Sequence, residues 1–150
     1  MTAFCVFDVN NRRVGLPMSQ VREIIDQSVI APVPVPLTSD VVRGLFNLRG
    51  QVLPFLDLAS FVGAVRSVRI SGRAVVVERG DFRFAANADR IDTVEIDPAT
   101  FQPLADAALF PALEAEAPTE RGNFQVIHLD RLEACLGQAM KFGAMAGAAA

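Results

Sequence analysis

The chain has 150 residues, 51% hydrophobic and 21% charged, with 14 basic and 17 acidic side chains and a formal net charge of −3. That length suits one domain or two small subdomains sharing a core, and the composition excludes wholesale disorder. With no apolar run near the ~18 residues of a membrane span, no secretory-signal pattern at the start, no basic run and no Trp or Tyr to stack on bases, neither membrane insertion nor nucleic-acid binding is expected.

The first elements read as a hairpin. Phe4-Cys5-Val6-Phe7 and Arg13-Val14-Gly15-Leu16 are apolar runs either side of Asn10-Asn11, which suits a turn. Pro17 then opens a helical pattern over Met18–Ile25, with Val21, Ile24 and Ile25 on one face. Pro32, Pro34 and Pro36 remove ladder donors, so residues 29–37 are expected as a loop or an extended edge. Gly44–Leu48 and Val52–Leu56 form a second hairpin across Arg49-Gly50. Asp57 is placed to cap a short helix, Leu58–Val62, which Gly63 stops. Arg73–Arg79 and Phe82–Ala86 make a third hairpin across Gly80-Asp81. Phe124–Leu129 is the last strand, followed by a helix that Asp130 caps and Gly137 ends. Residues 139–150 are a small-residue tail without periodicity.

An internal repeat organises these elements. A shift of 70 places residues 4–26 on 74–96 without a gap, and 52–63 resembles 126–137 at a shift of 73 or 74. Two related sets of hairpins follow, each closing as a small barrel, with domains expected at 1–72 and 73–138 and the helix at 130–137 packing on the first. The fold class expected is therefore mainly β with short helices, in two related small barrels of five or six short strands.

Catalytic chemistry is sparse. His128, the one histidine, lies in a strand and reads as structural. No serine stands on a nucleophile-elbow pattern, and there is no phosphate-binding glycine motif. Cys5 and Cys135 lack a C-x-x-C partner, which suits a reducing compartment. Asp89 and Asp92 lack the loop of alternating oxygens that a calcium site needs. No cofactor, metal or catalytic residue is expected.

The sharpest segment is Gly44-Leu45-Phe46-Asn47-Leu48-Arg49-Gly50, followed by Val52-Leu53-Pro54-Phe55-Leu56-Asp57-Leu58. With Gly15-Leu16-Pro17 and Val21-Arg22-Glu23-Ile24 it resembles the chemotaxis coupling protein family of CheW-like domains. The resemblance implies two small SH3-like or OB-like five-stranded β-barrel subdomains packed together and a non-enzymatic adaptor, cytoplasmic and recruited to membrane-associated receptor arrays. Its partners would be the cytoplasmic domain of a chemoreceptor and the regulatory domain of a chemotaxis histidine kinase. It further implies that Glu23, on a helix, pairs with Arg49 and shapes a receptor-binding surface with Met18, Val21 and Asn47. Leu45, Phe46 and Phe55 become candidates for the kinase contact. The departure is Glu114–Glu120, whose three glutamates and Pro118 are poor strand chemistry and predict a second barrel lacking a strand or standing partly open. An alternative reading is a modulator that binds kinase or receptor, but not both, and limits array assembly.

Overall fold

The computed structural model describes residues 1–26, 41–65, 72–105 and 107–138. The proline-rich run and the small-residue tail lie outside these residues. Nine strands are described: β1 (Thr2–Val9), β2 (Arg12–Pro17), β3 (Val21–Asp26), β4 (Val42–Leu48), β5 (Gln51–Leu56), β6 (Arg73–Arg79), β7 (Phe82–Ile96), β8 (Leu113–Ala117) and β9 (Phe124–Ile127). Helix α1 spans Ala59–Val62 and helix α2 spans residues 129–138. The fold is mainly β with short helices, as expected.

The strands make two five-stranded sheets that share β7. Its first half pairs with β6 and β5 in the order β4-β5-β7-β6-β3, and its second half pairs with β1 in the order β7-β1-β2-β9-β8. Between the halves, Arg90 takes a left-handed backbone (φ 49°) where the chain passes from one sheet to the other. The two sheets exchange strands: β3 crosses to pair with β6, and the second half of β7 returns to pair with β1. Each sheet thus draws strands from both sides of residue 72. Neither sheet closes on itself among the described residues: β3 and β4 edge the first, β7 and β8 the second.

The repeat is visible in the ladders. Hairpins β1–β2 and β6–β7 share one pairing register at the shift of 70 in sequence number, with Asp8–Arg13 at 2.8 Å matched by Glu78–Arg83 at 3.8 Å. For the later elements the pairing gives a shift of 71 rather than the 73 or 74 read from the sequence. A register break between Val42 and Gly44 recurs between Leu113 and Ala115, and Phe46↔Leu53 recurs as Ala117↔Phe124. The Asp57 N–H donates to the Val41 carbonyl (2.8 Å) just as the His128 N–H donates to that of Ala112 (2.9 Å). His128, not Asp130, therefore occupies the position of Asp57. Both side chains accept a backbone N–H at a helix start, Asp57 from Ala59 (3.0 Å) and His128 Nδ1 from Arg131 (3.4 Å). The difference arises because helix α2 begins at residue 129 and runs through Gly137.

The pattern over Met18–Ile25 folds otherwise than expected. Met18–Gln20 form one 3-10 turn and Val21–Asp26 are a strand. Val21, Ile24 and Ile25 are β-branched, and the edge of β6 supplies their backbone partners, so pairing overrides the helical spacing. Glu23 thus stands on a strand; past a register break after Val21 it shares the face of Val76 and the half-buried Ile25, whereas Val21 lies across from Val77 on the other face.

The Glu-rich segment is a strand as well. In β8, Leu113, Ala115 and Ala117 are buried while Glu114 and Glu116 face outward, an alternation that an edge strand tolerates. Pro118, without an N–H, ends it. Where the first sheet has the hairpin tip Leu48-Arg49-Gly50-Gln51, the second has the irregular turn Thr119-Glu120-Arg121-Gly122, with no paired strand beyond Ala117.

Among the described residues, three apolar clusters hold the structure. Phe46, Leu53, Phe55, Val76 and Ala85 fill the concave side of the first sheet. Phe4, Val6, Ile96, Phe124 and Val126 fill that of the second. The largest lies between the sheets, where Cys5, Phe7, Leu16, Val75, Val77 and Phe84 meet Val62 of α1 and Leu129, Leu132 and Leu136 of α2. β1 and β6 are covered on both faces, which explains their unbroken apolar runs. Burial among these side chains pushes the Cys5 thiol up from its ordinary range. The parallel β2–β9 pairing brings Gly15 beside Val126, and a Cβ at Gly15 would stand 2.6 Å from the Phe124 ring. Gly15→Ala is accordingly expected to destabilise the fold by about 1–3 kcal/mol, as read by denaturant unfolding; unchanged stability would show that the Phe124 ring yields freely.

Candidate functional site

The site builds on the tip of the β4–β5 hairpin. Arg49 and Gly50 both have positive φ, 50° and 87°, between the paired Leu48 and Gln51. That is the two-residue turn whose twist matches the flanking strands, and its first position ordinarily takes Asn or Gly. Asn47 stabilises it by accepting the Gly50 N–H on Oδ1 at 2.8 Å. The turn holds Arg49 outward, its side chain 68% exposed, and Arg49 Nη1 donates to Glu23 Oε2 at 2.6 Å.

A second link runs parallel to the first. Arg22 Nη1 donates to Gln51 Oε1 at 2.8 Å and to Glu78 Oε2 at 3.1 Å. Arg22 is the extra residue at the register break between Val21 and Glu23, so two adjoining side chains of β3, Arg22 and Glu23, both hold the hairpin tip. The hydrogen bond from Arg49 holds the Glu23 carboxyl below its ordinary range, and the same bond raises the guanidinium of Arg49. Arg22, Gln51 and Glu78 were not singled out from the sequence. Arg22 carries a signal only once β3 is known to be a strand that pairs with β6.

The other expected residues divide. Met18 and Val21 are half-buried and pack against the central cluster. Leu45 is half-buried and lies directly across from Pro54, and the next outward pair is Asn47 with Val52, the latter 64% exposed. Leu45, Pro54 and Val52 thus form an outward apolar strip on the edge of the first sheet. Phe46 (6% exposed) and Phe55 (0%) point the other way, ring against ring with centroids 6.1 Å apart. Strand alternation puts them in the core, so they correct the expectation that they offer a partner surface. Val52 is the exposed residue of this strand instead; its signal was the alternation Val52-out, Leu53-in, which is readable once the hairpin register is fixed.

The two halves of the fold differ at this site. At the places of Glu23 and Arg49 the second sheet has Thr93 and Glu120. The same backbone plan therefore stands without the ion pair, which marks the pair as a property of one surface rather than a requirement of the fold. No group of three or more His, Cys, Asp or Glu side chains that could hold a metal ion exists among the described residues, and no described helix is long and apolar enough to cross a membrane.

These features agree with comparisons to known proteins. The CheW-like domain family matches residues 3–134. Protein FrzA of Myxococcus xanthus is 37% identical over 59 residues, 39% of this chain and 35% of that protein. The chemotaxis protein CheW of Thermotoga maritima is 25% identical over 85 residues, 57% of this chain and 55% of that protein. The matches thus span about a third and about half the length of those two relatives. The crystal structure of the scaffolding protein TtCheW from Thermoanaerobacter tengcongensis superposes with a TM-score of 0.73 at 22% identity, covering 85% of this chain and 88% of that one, a likeness of fold. The family match across nearly all of the described chain, on a fold of two five-stranded sheets with the Asn-Leu-Arg-Gly hairpin at its surface, makes this chain a member of the CheW-like family.

Proposed function

We propose that the chain is a non-enzymatic adaptor that couples the cytoplasmic tips of chemoreceptors to a chemotaxis-type histidine kinase, and that it works at membrane-associated receptor arrays. Family membership supports the adaptor role. The observation that carries the receptor site is the exposed Arg49–Glu23 pair, held outward by a left-handed turn and absent from the equivalent place in the second half. Receptor contact falls to Arg49 and Glu23, with Asn47 setting the turn and Met18 and Val21 supplying the apolar flank. Kinase contact falls to the outward strip of Leu45, Val52 and Pro54 on the edge strand pair β4–β5. An apolar strip next to a charged pair suits two partners that bind side by side.

The test is a bridging assay. A receptor cytoplasmic fragment is immobilised, and retention of the kinase regulatory domain is measured with and without this chain. Retention that depends on this chain supports coupling. Binding of either partner alone, with mutual displacement when both are present, would instead establish a modulator that limits assembly.

A further inference from the structure

The second sheet has an open seam. Between the second half of β7 and the turn that follows β8 lies a groove of about 760 Å³. Its floor is the apolar interior of that sheet: Val6, Val94, Ile96 and Phe124. The space has a cause in the sequence. At the positions where the first sheet fills its interior with Phe46 and Leu48, the second has Ala117 and Thr119.

One wall of the seam is a strand edge. Among the described residues, β7 pairs with β1 on one side only over residues 92–96. The Thr93 N–H donates to Oδ1 of the preceding Asp92 at 2.9 Å, outside the ladder with β1. By alternation, the backbone groups of Thr93 and Glu95 then face the seam. The opposite wall is a poor template, because Gln102 already pairs with Glu116 and Pro118 has no N–H. The rim bears three carboxylates, Asp92, Glu95 and Glu120, against two guanidiniums, Arg13 and Arg121. Both guanidiniums already face carboxylates: Arg13 meets Asp8 at 2.8 Å and Arg121 meets Asp92 at 3.2 Å. Glu95 and Glu120 are exposed at the mouth.

We infer that this seam binds an extended peptide segment, which adds as a strand to β7 at Thr93–Glu95, places a bulky apolar side chain where Phe46 and Leu48 have no counterpart, and carries basic residues toward Glu95 and Glu120. A free strand edge beside an apolar trough is the arrangement that strand addition uses, with backbone bonds giving affinity and alternate pockets giving specificity. The inference concerns the half of the fold that lacks the Glu23–Arg49 site and stands independently of the proposed coupling role.

The test uses the full chain and the peptide Lys-Val-Lys-Phe-Lys-Val-Lys. Titration is expected to slow hydrogen exchange of the Thr93 and Glu95 amides, and Glu95→Lys with Glu120→Lys is expected to weaken binding about tenfold. Both glutamates are exposed, so this variant keeps the fold. Thr93→Pro removes the N–H that faces the seam and is expected to abolish the exchange effect. Equal binding of the same peptide with Glu in place of Lys would overturn the inference. Binding without amide protection, an equal response to the small amine phenethylamine, or no binding at all would do the same.

Discussion

Phe55→Ala is expected to destabilise the protein by about 3–5 kcal/mol, a large part of the ~5–15 kcal/mol that holds a domain of this kind folded. The ring is fully buried, edge-on to Phe46, and surrounded by Leu53, Val76 and Ala85. Small residues on β6 and β7 line that space, and Ala74 and Ala85 have no side chain long enough to refill it. Val52→Ala, two strand positions from Pro54 on the opposite face, should change stability by no more than about 0.5 kcal/mol. Urea unfolding of the two variants separates the faces of one strand. If Phe55→Ala unfolded at the wild-type midpoint, the inward assignment of β5 would be wrong, and with it the assignment of Val52, rather than Phe55, to the partner surface.

Arg49→Ala and Glu23→Ala are each expected to weaken receptor binding by about tenfold or more, while leaving the unfolding midpoint close to wild type. The reason lies in where the pair stands. Arg49 is mostly exposed, so its bond to Glu23 contributes little to folding, yet it fixes both charges on a surface that the turn holds outward. Because each group orients the other, the double variant should bind no worse than either single one; losses that add, or no loss, would contradict a shared site. The pH dependence has a definite sign. The folded-state carboxyl of Glu23 is held below its ordinary 4.5 by the hydrogen bond from Arg49, so whatever the pair contributes is fully present above that ordinary value and is lost as pH falls through the depressed one. Binding that depends on the pair should therefore stay level from about pH 8 to about pH 5 and decline only in stronger acid.

The hairpins were legible because turn residues and apolar alternation act locally. Asn10-Asn11, Arg49-Gly50 and Gly80-Asp81 all fall at the turns the sequence indicates. The repeat was legible in outline, but its later shift was misplaced by two or three residues. Asp57 and Asp130 are alike as residues, whereas Asp57 and His128 are alike in backbone position, and only the ladders distinguish these. Strand β3 was hidden because its β-branched residues recur at spacings that also suit a helix, and its partner β6 begins only at Arg73, beyond local pattern. β8 was hidden because glutamates disfavour strands on average, while an edge strand can turn them to solvent. The exchange of β3 and β7 between sheets has no local signature. At the site, the partners Glu23 and Arg49 came from the family resemblance, and their contact from the fold. Phe46 and Phe55 could not be separated from Leu45 and Val52 until the hairpin register set which face is buried.

The strongest test of the proposed coupling is control of kinase activity. Receptor fragments, the kinase and this chain are combined on vesicles, and kinase autophosphorylation is followed with and without the receptor's attractant. The account predicts that attractant changes the rate only when this chain is present, and that Arg49→Ala abolishes that control while the chain remains folded. Attractant control that is unaffected by omitting the chain, or a chain that merely lowers autophosphorylation in proportion to its concentration, would contradict it.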